Sequence, residues 1–117
     1  MTEEAVHQSE IWLANLNPQK GSEPGKVRPV VVLQTNDLNE GHPSVIICPI
    51  TSNVLPSAEL LRVHLHPGQT GLEVDSDVLI DQIRAIDCTR LIQKLGSIDN
   101  EALGQIKENI RLVLDLE

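Results

Sequence analysis

The apolar positions of this chain fall in short runs, separated by segments dense in Gly, Pro, Asn and Ser. Residues 10–16 (EIWLANL) predict a strand, and 17–27 (NPQKGSEPGKV) a long loop. Residues 29–34 (PVVVLQ) form a continuous, β-branched run that predicts a buried strand, and after a loop over 36–44, residues 45–50 (VIICPI) predict another. Pro49 has no N–H for a ladder, so it belongs at an edge, a bulge or a strand end. Residues 60–66 (LLRVHLH) alternate, with Leu61, Val63 and Leu65 on one face and Arg62, His64 and His66 on the other. A loop is expected over 67–77, a further strand over 78–86 (VLIDQIRAI), and a short apolar stretch around Leu91 and Leu95. The spacing of Leu103, Ile106, Ile110 and Val113 predicts a helix over 99–115, with Asp99 as N-cap and Glu101 at the positive end of the dipole. Five or six short strands and one terminal helix predict a mostly β fold: a small, strongly curved antiparallel sheet or barrel.

Composition narrows the core. With Trp12 as the one aromatic among 117 residues, the interior must be built from Leu, Ile and Val. The length and the absence of repeats or linkers predict one domain over 1–117, with 1–8 as a flexible arm. The acidic N-terminus has no signal-peptide pattern, no apolar run is long enough to span a membrane, and Cys48 and Cys88 read as buried, reduced thiols. The expected location is therefore the cytoplasm. The net charge of −8 argues against strong non-specific binding to nucleic acid, so any such site must be a local patch.

Three segments carry candidate chemistry. Residues 20–29 (KGSEPGKVRP) hold two glycines, three cations and one carboxylate, and end on a buried strand. Arg28 stands at that strand's edge, where a planar, permanently charged guanidinium suits a phosphate. The same segment, taken alone, also fits a solvated loop with an ordinary surface arginine. Thr51 and Ser52 place hydroxyls where the chain leaves the core; they fit phosphate donors or turn caps. Residues 81–84 (DQIR) set Asp81 and Ile83 on one face of the expected strand and Gln82 and Arg84 on the other, with a structural network of Asp81 with Arg84 or with backbone as the plain alternative. His64 and His66 share a face but lack a third ligand with supporting spacing, so no metal site is expected. Glu73, Asp75 and Asp77 read as a solvated acidic loop.

Taken together and in order, EIWLANLNP at 10–18, KGSEPG at 20–25, RPVVVL at 28–33, PITS at 49–52 and DQIRAID at 81–87 resemble the MazF/PemK toxin family of toxin–antitoxin systems, over about residues 9–115. The resemblance implies an SH3-like barrel with a C-terminal helix, acting as a homodimer. It further implies cleavage of single-stranded RNA at short sequences with neither metal nor cofactor, by attack of a 2′-hydroxyl on the adjacent phosphorus. By position, Arg28 and Thr51 match the family's main catalytic pair, and Glu23 is the carboxylate placed to influence the 2′-hydroxyl proton. Lys20, Gly21, Ser22, Ser52 and Gln82 match RNA-binding positions. One branch of the family uses a His where this chain has Ser22 and an Arg where it has Leu79, together with the acid at Asp81. Lacking both, this chain cannot run that acid–base scheme, which leaves Asp81 and Arg84 as structural or catalytic. The partner implied is an antitoxin whose disordered segment orders on binding.

A rival reading is a non-enzymatic SH3-like toxin or binding module acting on a protein target. Gyrase-poisoning toxins share the barrel and rely on a Trp-containing C-terminal end. This chain ends Leu114-Asp115-Leu116-Glu117.

Overall fold

The computed structural model describes residues 5–18, 21–22 and 26–117. Among the described residues, seven strands and two α-helices follow in the order β1 (Glu10–Asn15), β2 (Val27–Val32), α1 (Asn36–Asn39), β3 (Ser44–Thr51), β4 (Arg62–Leu65), β5 (Ser76–Leu79), β6 (Arg84–Asp87), β7 (Leu91–Ser97) and α2 (Asn100–Val113). All strand pairs are antiparallel, as expected from strands so close in sequence. The path β4-β5-β3-β2-β1-β7 is open at both ends, with β6 added beside β3. The fold is thus a curved sheet with a C-terminal helix, and it stops short of a closed barrel.

Two departures from the sequence pattern shape the sheet. Residues 78–86 are not one strand. On β3, Ile50 pairs with Val78 while Ile47 pairs with Arg84, so three steps along β3 are matched by six along its partner. The three extra residues form a 3-10 turn, Ile80–Gln82, beside the stretch of β3 that contains Pro49. Pro49 therefore sits where β3 changes neighbour from β6 to β5, a place that asks for no ladder N–H on that edge. The apolar stretch around Leu91 and Leu95 is a full strand, β7, joined to β6 by a second 3-10 turn, Cys88–Arg90, whose start Asp87 caps through the Thr89 amide. Register shifts along β1 and β7 curve the sheet further. The expected loop over 36–44 contains the single-turn helix α1, capped by Thr35.

Because β1, β2 and β3 are covered on both faces, their side chains alternate between two cores. Ile11, Val31, Cys48 and Ile50 join Val63, Val78, Ile80, Leu103 and Ile106 under α2. Trp12, Ala14, Val30, Val32 and Ile47 join Val45, Ile86 and Leu91 on the opposite face. Each fully buried aliphatic side chain contributes about 1.5–3 kcal/mol, so the near absence of aromatics is offset by number. Helix α2 lies where its apolar stripe predicted, and Asp99 accepts from the Ala102 amide at 2.8 Å as its N-cap. Gly71, at φ +74°, and Gly96 let the 67–72 loop lie directly on β7; a Cβ on either would collide with backbone atoms across the contact.

Toward the N-terminus, Gln8 donates from its amide to Asn36 Oδ1 at 2.8 Å and from Nε2 to the Leu33 carbonyl at 2.9 Å. Glu10 is buried. Its carboxylate accepts from the His7 amide (2.8 Å) and from Trp12 Nε1 (3.0 Å), and meets Lys94 Nζ at 3.0 Å.

Candidate active site

The register across β1, β2, β3, β5 and β4 builds the site. Arg28 pairs with Ala14 across β1 and β2. The β2–β3 ladder matches Val30 with Pro49 and Val31 with Cys48, and the same register carried two residues toward the strand ends sets Arg28 opposite Thr51. Thr51 pairs in turn with Asp77 on β5, and Asp77 with His64 on β4. Residues directly opposite in antiparallel strands point to the same face. Arg28, Thr51, Asp77 and His64 therefore form one transverse row, on the face opposite α2 and at the rim of the Trp12 core.

Within this row Arg28 and Thr51 are half-buried. The Thr51 hydroxyl accepts from the Asn53 amide at 3.1 Å, so it caps the turn after β3 and still has a proton to donate. The turn reading and the phosphate-donor reading of Thr51 are thus compatible. Ser52 follows, exposed.

Asp77 is the residue that sequence reasoning placed wrongly. It was expected in a solvated acidic loop, and that holds for Glu73 and Asp75, which are exposed; Asp77 lies inside β5 with no exposed surface. Its Oδ2 accepts from the Leu55 amide (2.9 Å) and from Arg62 Nη1 (3.0 Å), and its Oδ1 lies 2.6 Å from His64 Nδ1. Burial pushes this carboxyl up, but the Leu55 amide, His64 and Arg62 together outweigh it and hold it below the usual carboxylate range. The Arg62 Nη1 also donates to the Asn53 carbonyl at 3.1 Å, so Asp77 and Arg62 together brace the loop that follows Thr51. The signal available in sequence was the Ser-Asp-Val-Leu alternation beside Arg62-x-His64.

The remaining candidates divide. Gly21 adopts φ +54°, the left-handed turn that its type allows, and Ser22 beside it is exposed. Lys20 and Glu23 lie outside the described residues. The base of their loop is closed by the Leu16 amide on the Lys26 carbonyl (2.8 Å) and the Lys26 amide on Asn17 Oδ1 (2.7 Å). Arg90 braces it with hydrogen bonds to the Asn15 and Asn17 carbonyls, a role the sequence did not reveal. Asp81 and Gln82 belong to the 3-10 turn and so do not alternate as strand residues. Asp81 is exposed, and among the described residues it joins no ion pair with Arg84. Arg84 pairs with Ile47 and so shares the site face, four residues down β3 from Thr51. His64 and His66 each bind a carboxylate through Nδ1, His66 on Asp75 at 2.9 Å.

The described residues thus form a small, curved, open antiparallel sheet with a C-terminal helix, with Arg28 and Thr51 near one rim. The chain belongs to the PemK-like, MazF-like toxin family of type II toxin–antitoxin systems, whose model matches residues 7–114. Among its relatives, Endoribonuclease EndoA of Bacillus subtilis is 34% identical over 111 residues, covering 95% of this chain and 96% of that protein. The crystal structure of MazF from Deinococcus radiodurans superposes with a TM-score of 0.83 at 25% identity, over 97% of this chain and 100% of that one. A MazE–MazF structure from the same organism gives 0.78 at 24% identity, over 98% of this chain and 100% of that chain. No helix among the described residues is long and apolar enough to cross a membrane.

Proposed function

We propose that this chain, a toxin endoribonuclease of a type II toxin–antitoxin pair, cuts single-stranded RNA without a metal ion, at the edge where Arg28 faces Thr51. The observation that supports this is the β2–β3 register, which, carried two residues beyond its last ladder pair, Val30 with Pro49, aligns Arg28 with Thr51. In the reaction the ribose 2′-oxygen forms a bond to the adjacent phosphorus and the bond from phosphorus to the 5′-oxygen breaks. The products are a cyclic phosphate and a 5′-hydroxyl. Negative charge builds on the phosphate oxygens during attack. Arg28 stabilises it electrostatically, and the Thr51 hydroxyl donates to the same oxygens and fixes their position. Arg28 is a poor proton donor, since a guanidinium holds its proton too firmly to give it up. Glu23 is assigned by sequence position to the 2′-hydroxyl proton. Lys20, Gly21, Ser22, Ser52 and Gln82 bind the RNA on either side, and Asp81 and Arg84 support the same edge.

The protein works in the cytoplasm as a homodimer. It is held in check by a cognate antitoxin whose disordered segment covers the RNA site. The MazE–MazF assembly of the Deinococcus relative supports this reading.

The test is cleavage of a long single-stranded RNA in excess EDTA, with end-group analysis and Arg28→Ala in parallel. Cutting that survives EDTA, leaves cyclic or 3′-phosphate and 5′-hydroxyl ends, and vanishes in the variant is expected. Folded, antitoxin-free protein that does not cut would sink the reading and leave the non-enzymatic alternative.

A further inference from the structure

His64 is the outermost member of the transverse row, on edge strand β4. Its Nδ1 is taken by Asp77, whose carboxyl is held in the ionised form by three donors. An ionised carboxylate accepts only, so Nδ1 carries the proton, and in the neutral ring Nε2 is a bare acceptor. Among the described residues Nε2 makes no hydrogen bond, and the side chain keeps 37% of its surface. The ring is therefore oriented from beneath by a buried group, and its neutral form offers one acceptor to whatever lies above it.

The neighbourhood says what that is. His64 stands two strands from Thr51, about 10 Å across the sheet, too far to share a proton with the scissile group and near enough to meet an adjoining nucleotide. Because β4 is an edge strand, His64 also borders an open groove of about 820 Å³ that continues past the sheet edge to the N-terminal end of α2. Glu59, Asp99 and Glu101 line the same groove with His66 and Arg62, whose guanidinium is already paired with Asp77, and this acidic balance disfavours a phosphate and suits a group rich in N–H donors.

We infer that His64 is a specificity-determining residue: its Nε2 accepts from an amino or imino N–H of the nucleobase next to the cleaved position, and that base rests at the mouth of the β4–α2 groove. The inference rests on the RNA-cleavage reading above. In this scheme Asp77 is a positioning residue, since it fixes the tautomer without touching RNA.

The experiment compares kcat/KM on a panel of short RNA oligonucleotides that differ only in the base on one or the other side of the cut. The proteins are wild type, His64→Ala, His64→Gln and His66→Ala, each checked for folding by Trp12 emission. Wild type should discriminate about 3- to 10-fold at one flanking position, the worth of one hydrogen bond. His64→Ala should flatten that preference through KM with kcat little changed. His64→Gln, which keeps an acceptor, should recover part of it, and His66→Ala should match wild type. Discrimination that persists in folded His64→Ala, or a uniform slowing on every oligonucleotide, overturns the inference. Cutting that survives Arg28→Ala would overturn the catalytic assignment instead, while the panel still decides the role of His64. Wild type that cuts no RNA would overturn both.

Discussion

The guanidinium of Arg62 lies 3.0 Å from the carboxylate of Asp77, which has no exposed surface. The pair does two things at once. It neutralises a charge that the interior of the sheet could not otherwise hold, and it ties the chain after Thr51 to β5 through the Asn53 carbonyl and the Leu55 amide. The hydroxyl that handles phosphate in the proposed reaction thus sits beside a rigid, fully bonded ionic centre.

Removing Asp77 should therefore cost far more than removing a surface acid. Asp77→Ala leaves Arg62, itself mostly buried, without its partner and strips an acceptor from the Leu55 amide. The expected loss is about 3 kcal/mol. Glu73→Ala, in the exposed part of the same acidic stretch, should stay within about 0.5 kcal/mol of wild type. Urea unfolding followed by the single buried Trp12 measures both; equal midpoints for the two variants would show that the buried network adds nothing.

The same chemistry predicts an acid limb. Asp77 and Glu10 both titrate below their ordinary values in the folded chain. For each, burial pushes the group up and its hydrogen-bond donors more than reverse this, with Trp12, the His7 amide and Lys94 acting on Glu10. The unfolded chain then takes up these protons at higher pH than the folded one, so their contribution is complete above the unfolded values of about 3.9 and 4.3 and declines as pH falls through and below about 4. Unfolding midpoints measured from pH 7 down to 3 should fall in that range, and the fall should be shallower in Glu10→Gln. A flat profile would show that neither group is stabilised as an anion.

Both cysteines should be poor nucleophiles. Burial, with the charge of Asp81, pushes the Cys48 thiol up to about 12, and burial with Asp87 raises that of Cys88. The thiolate is the reactive form, so neither is activated at neutral pH. Cys88, which the sequence reads as buried and the structure leaves half-buried, should be alkylated first, and Cys48 only as the protein opens. Rates of iodoacetamide labelling at pH 8, folded and in urea, check this; fast labelling of folded Cys48 would contradict the packing of β3 under α2.

Much of this architecture was legible in local pattern. The β1–β3 runs and the α2 stripe with its Asp99 cap were found because each follows from periodicity or capping within a few residues. What was not legible depends on partners far along the chain. The 3-10 turn at Ile80–Gln82 exists because β3 changes neighbour at Pro49, which the 78–86 segment alone cannot announce. Asp77 looked like a loop residue because an acid is unfavourable in a strand, and only Leu55, Arg62 and His64 make it tolerable there. Arg28 and Thr51 were picked out by family position and side-chain chemistry, while their alignment across β2 and β3 needed the register.

That alignment makes a last, quantitative prediction. If Arg28 and Thr51 act on oxygens of one phosphate, each alone stabilises charge that the other also holds in place. Arg28→Ala should lower kcat about 100- to 1000-fold, as loss of one charge-stabilising donor does. Thr51→Ala should lower it about 10- to 100-fold, as loss of a hydrogen bond to a charged group does. Once Arg28 is gone the phosphate is no longer fixed against Thr51, so the double variant should lose much less than the product of the two single effects. Arg28→Lys should recover little, because a single ammonium cannot reproduce the planar fork. Single-turnover cleavage of one RNA by the four variants measures the coupling. Strictly multiplicative losses would mean that the two residues serve different steps, and that their facing positions across β2 and β3 do not make them one unit.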